Sequence, residues 1–198
     1  MQDKTPSKLF PPNSEKKVLL HSCCAPCSGN ILERMVDSEI DITVFYYNPN
    51  IYPQDEYERR KKENKIFASK LKIPFIDSDY DQNIWIDQVK GMETEPERGK
   101  RCTKCFDIRM QKTAEFANKN GFNIFATSLG ISRWKDLSQV NNSGINAAKA
   151  YTGLTFWDFN WRKEGGSILM YQTSEREGFY RQKYCGCLFS LESRKIIN

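Results

Sequence analysis

The stretch "KKVLLHSCCAPCSGN", residues 16–30, decides how this chain is read. Val18, Leu19 and Leu20 form a short apolar run that ends at His21, the only histidine. Cys23, Cys24 and Cys27 follow at once. A run of this length bounded by a turn has the pattern of a buried strand. Pro26 then falls where the first turn of a helix has no use for an N–H. Strand, turn and helix make the first half of a βαβ unit. The thiols thus leave the carboxyl end of a strand, and Cys27 enters the first turn of a helix. Free N–H groups and the helix dipole favour thiolate over thiol there.

The rest of the chain repeats the alternation. "DITVFYYNPN" (41–50) reads as a second strand, rich in β-branched and aromatic residues and closed by turn residues. Residues 53–72 read as a helix with Pro and acids at the start and Lys at the end. "IPFIDSDYD" (73–81) is a short strand entering an acidic loop, and "NIWIDQVKGM" a short helix. Residues 103–121 carry Phe106, Met110, Ala114 and Ala117 on one helical face, with Thr103 as expected N-cap and Gly121 as left-handed C-cap. A fourth strand is expected over 122–130. A helix over 132–151 is expected to break near Ser143-Gly144. A fifth strand falls at 154–161, and the CxC is embedded in a mostly helical C-terminal segment. Alternating strands and helices predict an α/β fold, a mostly parallel sheet with helices on both faces. Ligands of such sheets sit at the carboxyl ends of the strands. His21–Cys27 and Thr127–Gly130 would open on one crevice.

The 198 residues suit a polar arm over 1–15 and a single α/β catalytic domain over 16–198. No apolar run reaches the ~20 residues needed to cross a bilayer, so no membrane partner is expected. The first residues lack the apolar core of a signal peptide, so a cytoplasmic location is expected. The net charge is +5, with much of the surplus in 58–72 and 97–105. Such stretches fit either nucleic-acid phosphate or a solvated helix face.

The seven cysteines fall into three sets, Cys23-Cys24-x-x-Cys27, Cys102-x-x-Cys105 and Cys185-x-Cys187. An odd number in a reducing compartment favours metal binding or redox work over structural disulfides. Cys23, Cys24, Cys102 and Cys105 satisfy the four-thiolate demand of a [4Fe–4S] cluster. They could also hold a structural zinc, although zinc pairs usually lie ~15–20 residues apart. Thiol redox chemistry without metal is a third reading. Cys185 and Cys187 bracket a glycine, and a disulfide across so short a loop is strained and easily reduced, which suits a two-electron shuttle; two further metal ligands are the alternative. His21 is either a satisfied residue at a strand end or a proton donor. Asp79, Asp81 and Asp158 fall near strand ends, where most aspartates are turn residues. No phosphate-binding glycine loop follows the first strand.

"VLLHSCCAPCS", "VFYYNPNIYPQDEYERR", "EPERGKRCTKCFDIRMQKTA" and "YRQKYCGCLFS" together resemble the epoxyqueuosine reductases of the QueH type. "TSLGISRWKD" and "DFNWRKEGG" fit the middle of that family. The resemblance runs from about Lys17 to Ser190 and takes in all seven cysteines. It implies a Rossmann-like sheet of the nucleotide alpha-hydrolase (HUP) kind without its ATP loop. It implies an oxidoreductase of queuosine biosynthesis, a tRNA-modification step. The epoxide of epoxyqueuosine at the wobble position of tRNA is reduced, giving queuosine. It assigns Cys23, Cys24, Cys102 and Cys105 to a [4Fe–4S] cluster, and a redox-active pair to Cys185 and Cys187. Cys27 is left over, with an additional mononuclear iron or the substrate as its candidates. His21, Tyr184 or an aspartate would supply the proton. The implied partners are tRNA with a GUN anticodon, held by its anticodon arm, and an external low-potential electron donor. Residues 58–72, Arg98, Lys100, Arg101 and Arg181 are candidates for the phosphates. Tyr46, Tyr47 and Trp134 are candidates for stacking on a splayed base, with ordinary packing favoured for Tyr46 and Trp134. The rivals are a zinc-stabilised nucleic-acid-binding module without catalysis and a thiol-disulfide oxidoreductase.

Overall fold

A computed structural model describes residues 7–78 and 80–197 of the chain, with side chains as far as Ser193. Asp79, one of the candidate acids, lies outside the described residues. Five strands form one sheet: β1 (Lys17–His21), β2 (Asp41–Tyr46), β3 (Phe75–Asp77), β4 (Ile124–Thr127) and β5 (Thr155–Phe156). All neighbours are parallel, in the order β3-β2-β1-β4-β5. The expected α/β architecture is therefore present.

β1 is central. Val18, Leu19 and Leu20 are fully buried, because both faces of a parallel sheet are covered and each position must be apolar. β2 and β3 extend the sheet to one side of β1, β4 and β5 to the other. Right-handed crossovers then put the connecting helices on opposite faces. The packing follows this. α1 (Ala25–Asp37) lies against α2 (Gln54–Lys70) and α6 (Gly166–Arg176). α4 (Lys100–Lys119) lies against α3 (Gln82–Val89) and α5 (Leu137–Ala148). A last helix, α7 (Leu188–Ile197), closes the chain. The order of strands reverses beside β1, so the loops after β1 and β4 diverge and leave a crevice.

Four local expectations are corrected. α4 begins at Lys100, so Thr103 is not its N-cap. Gly99 takes that place, and the Glu95 carboxylate accepts the Lys100 N–H at 2.9 Å. This supplies an anion where the helix dipole favours one. Cys102 and Cys105 thereby fall in the first two turns. The fifth strand is only two residues long. α5 runs unbroken through Ser143-Gly144. Residues 185–187 are not helical; the CxC forms a loop that leads into α7. At the far end of α4 the expected cap is found, with Gly121 at φ +67° and the Phe122 N–H bonded to the Ala117 carbonyl.

Gly144 is small because Phe156 of β5 lies on it. A Cβ at this position would stand 2.5 Å from the ring. Gly144→Ala should therefore destabilise the protein by about 1–3 kcal/mol despite the better helix propensity of alanine. Urea unfolding of the two proteins checks this; an alanine variant as stable as the parent would show that the ring can move away.

Candidate active site

The end of β1 is fixed by its histidine. Thr127 stands beside His21 in the sheet register. The imidazole Nδ1 lies 2.9 Å from the Thr127 Oγ1, and Nε2 lies 3.0 Å from the Tyr47 carbonyl oxygen. A carbonyl only accepts, so Nε2 carries the proton and Nδ1 accepts from the threonine hydroxyl. Burial, aided by Arg109, lowers the imidazole pKa to about 4 and keeps it neutral. Both nitrogens are spent inside the protein. His21 ties β1 to β4 and to the loop after β2, which is the structural of the two sequence readings.

The three thiols of this loop come together. The sulfurs of Cys23, Cys24 and Cys27 all lie within 4.8 Å of one another, and those of Cys23 and Cys24 are 3.8 Å apart. Cys24 is the N-cap of α1, with extended backbone, and its carbonyl accepts the Cys27 and Ser28 N–H groups. That turn brings Cys27 back over its neighbours. The Ser128 Oγ, at the end of β4, accepts the Cys23 N–H at 3.1 Å and donates to the Cys23 sulfur at 3.4 Å. The Gln182 Nε2 donates to the Cys24 sulfur at 3.0 Å.

One negative charge suits this trio better than two. Hydrogen bonds from Cys24 and Cys27 hold the Cys23 thiol well below its usual pKa. The same bonds raise Cys24 to about 12 and Cys27 well above the thiol range. A metal ion is what would replace the remaining protons at neutral pH.

Cys102, Cys185 and Cys187 of the other two sets face the same crevice, whereas Cys105 lines neither of its cavities. The Arg98 N–H donates to the half-buried Cys102 sulfur at 3.3 Å, and Cys105 is buried. Burial raises the pKa of both. Cys185 is exposed, and Cys187, half-buried, is raised to about 11 by burial and by Cys185 beside it. A cavity of about 130 Å³ is lined by Cys27, Cys102, Cys185 and Cys187. A smaller polar cavity of about 10 Å³, room for one water, is lined by Cys23, Cys24 and Cys185. Lys135, Gln182 and Cys185 line both and so join the two. Among the described residues the tight group of three is Cys23, Cys24 and Cys27; Cys102 and Cys105 stand outside it.

The CxC loop is braced from behind. Gly186 has φ +134°, and a Cβ there would meet the Arg60 Nη1 at 3.0 Å, so only glycine fits. Its carbonyl accepts the Tyr52 N–H at 2.8 Å. Arg60, buried and paired with Glu56 at 2.7 Å, donates to the Cys185 carbonyl at 3.1 Å. The Tyr184 hydroxyl donates to the Tyr52 carbonyl, and burial together with Glu56 raises its pKa to about 12.

Lys135 was overlooked in the sequence. Its part-buried ammonium faces Cys185, Cys23, Cys27 and Cys24; burial lowers its pKa, but these thiols outweigh that and leave it raised. Gln182 and Arg109 were overlooked as well, and Arg60 entered only within the basic stretch 58–72. Asn50 Oδ1, Arg109 Nη2 and Gln182 Oε1 are buried without a hydrogen-bond partner, and all three residues line the small cavity. Asp81 and Asp158 line none of these cavities. Arg101 is buried and bonded to the Met92 and Glu93 carbonyls, so it is not available to phosphate. Tyr46 and Tyr47 are buried, whereas Trp134 is 59% exposed, the reverse of the packing expected for it.

A family model described as "Epoxyqueuosine reductase QueH" matches residues 18–193. The chain belongs to the QueH family. Relatives named epoxyqueuosine reductase QueH include one from Haemophilus influenzae, 57% identical over 93% of this chain and 75% of that protein. One from Acinetobacter baylyi is 55% identical over 93% and 84%. A more distant one from Thermotoga maritima is 35% identical over 90% and 92%. As a QueH-family protein the chain is an oxidoreductase. No helix among the described residues is long and apolar enough to cross a membrane.

The neutral His21 gives this QueH-family protein a pH signature. Its folded pKa, about 4, lies below the ordinary 6.5, so the unfolded chain binds the proton first. Stability conferred by the neutral ring is complete above pH 6.5 and is lost as the pH falls toward 4. Denaturant unfolding of the metal-free protein should show a slope of up to about 1.4 kcal/mol per pH unit from this group. His21→Gln should remove that part of the slope; an unchanged slope would mean that the ring is already charged in the fold.

Proposed function

We propose that this chain reduces the epoxide of epoxyqueuosine at the wobble position of tRNA, giving queuosine. Two C–O bonds break, a C=C bond forms, and two electrons and two protons carry the oxygen away as water. The observation that carries this reading is the convergence of three separate cysteine sets on two adjoining cavities around one protonated lysine. The names of the relatives support the reaction. The catalytic unit is a single α/β domain over 16–198, with a short arm before it, acting in the cytoplasm.

The donor set suits an iron–sulfur cluster. Cys23, Cys24, Cys102 and Cys105 would hold a [4Fe–4S] cluster, and Cys27, close to two of them, would hold an additional mononuclear iron. Arg60, Arg109 and Lys135 line the small cavity and offset the negative charge of the thiolates. The unpartnered polar atoms of Asn50, Arg109 and Gln182 fit a site built for an occupant. Such a cluster supplies electrons one at a time from a low-potential donor.

The remaining chemistry belongs to side chains. The exposed Cys185 and the shielded Cys187 can pass two electrons by closing a disulfide, which the external donor reopens. The brace of Arg60 and Tyr52 holds that loop over the crevice. Lys135 is the proton source: its Nζ stays charged and makes no hydrogen bond among the described residues, and the residue lines both cavities. His21 and Tyr184, whose protons are committed to carbonyls, take supporting roles.

The reading is tested by mixing anaerobically reconstituted protein, a low-potential reductant and epoxyqueuosine-bearing tRNA, then analysing nucleosides. Loss of the epoxide is expected. A colourless protein holding one zinc and leaving the epoxide intact would overturn the proposal in favour of a binding module. Serine at Cys23, Cys24, Cys102 or Cys105 should lower iron content and activity together. Serine at Cys185 or Cys187 should abolish turnover while iron stays bound.

Lys135 gives a separate prediction. Lys135→Met should keep its iron and lose about 10²- to 10⁴-fold in turnover, the usual worth of a positioned acid. Lys135→Arg, which keeps charge but not an easily shared proton, should recover tRNA affinity without turnover. A methionine variant with full activity would remove the lysine from the chemistry.

A further inference from the structure

The turn Ser132-Arg133-Trp134-Lys135 is held more firmly than an exposed turn needs. Arg162 Nη2 donates to the Ser132 carbonyl at 2.5 Å and to the Lys135 carbonyl at 2.8 Å. Arg98 donates from Nη2 to the Arg133 carbonyl and from Nε to the Trp134 carbonyl, both at 3.1 Å. All four carbonyls of the turn are thus bonded to two arginines from other segments. Lys135 points to the thiols, yet Trp134 is left 59% exposed. A large apolar ring on so rigid a support, kept out of the core, is suited to receive something.

Trp134 stands between two spaces. On one side lies the thiol cavity of about 130 Å³. On the other lies an open groove of about 250 Å³ whose lining includes Pro26, Arg133, Met170, Tyr171 and Arg181. Cys27, Ser132, Trp134 and Gln182 line both. The groove has two exposed aromatic rings, and each has an arginine beside it. The Arg133 guanidinium lies 4.8 Å from the Trp134 ring centre, and that of Arg181 lies 5.8 Å from Tyr171. Tyr171 is 42% exposed. Among the described residues, none that lines the groove is acidic. Aromatic faces with cations alongside are what a splayed single strand of RNA requires, the bases stacking and the phosphates pairing.

We propose that this groove seats the nucleotide next to the reacting one, with its base stacked on Trp134 or Tyr171 and its phosphates met by Arg133 and Arg181. The inference rests on the proposed tRNA substrate and adds where a second base lies. Trp134 is then the divider that separates the reacting base from its neighbour. The wall shared by the two spaces makes the seats contiguous, as the spacing of adjacent nucleotides demands.

The test uses synthetic anticodon-arm hairpins, intact or with an abasic residue on either side of the reacting position. Affinity is read by fluorescence anisotropy with full-length protein and needs no reductant. Wild type should bind one of the two abasic hairpins about 5- to 100-fold more weakly than the intact one. Trp134→Ala or Tyr171→Ala should bind the intact hairpin more weakly and lose that discrimination, while Trp134→Phe should retain it and so exclude misfolding as the cause. Equal binding of all hairpins by wild type, or full discrimination in both alanine variants, would overturn the groove. If wild type shows this while still converting epoxyqueuosine-bearing tRNA, the groove alone fails. Failure to convert the tRNA overturns the proposed reaction instead, and the discrimination readout then stands or falls separately.

Discussion

The two hydrogen bonds of His21 set the geometry on which the site depends. One bond reaches Thr127 at the end of β4, and the other reaches the Tyr47 carbonyl just beyond β2. Three strand ends are thereby locked at one level. The turn that follows can then deliver Cys23, Cys24 and Cys27 to one point, with Ser128 from the β4 loop closing on Cys23. The charged form of the ring would break this arrangement, because a doubly protonated imidazole cannot accept from a threonine. Burial therefore does two things: it keeps the ring neutral, and it keeps water away from the joint.

Around that fixed point the protein gathers cations where thiols would otherwise resist ionisation. A cluster of sulfurs in a dry crevice is electrostatically costly, since each further thiolate faces the last at short range. Arg60, Arg109 and Lys135 come from three different segments to the same small cavity. Arg60 has a second task, since it also carries the backbone of the CxC loop. The brace behind Gly186 and the pinned turn at Trp134 show the same economy. In both places a reactive or receptive side chain stands on a loop, and arginines hold carbonyls of that loop still.

Much of the fold was legible in the sequence. The apolar run at Val18–Leu20, Pro26 in the first helical turn and the face of Phe106, Met110, Ala114 and Ala117 are local signals that the sheet and helices obey. The misjudged places have local signals that point the wrong way. Gly144 suggested a break, but it is small because Phe156 needs its space. Thr103 looked like a cap, but Glu95 and Gly99 start the helix earlier. Trp134 looked like a core residue, and two distant arginines hold it at the surface instead.

By itself the sequence determined the alternation of strands and helices, the three cysteine sets and the position of the first set at a strand end. Periodicity, propensity and spacing are local properties, and the residues that carry them stand close together in the chain. It also carried the family, because the "HSCCAPC" and "YCGC" signatures are contiguous. Only the tertiary structure decided that Cys27 joins Cys23 and Cys24, that Lys135 and Gln182 face the thiols, and that His21 is committed to the frame. The first follows from the turn at Cys24, whose geometry the spacing alone does not give; the other two depend on contacts between residues 26 to 158 positions apart, and on burial, which sets the charge of a group regardless of its neighbours in sequence.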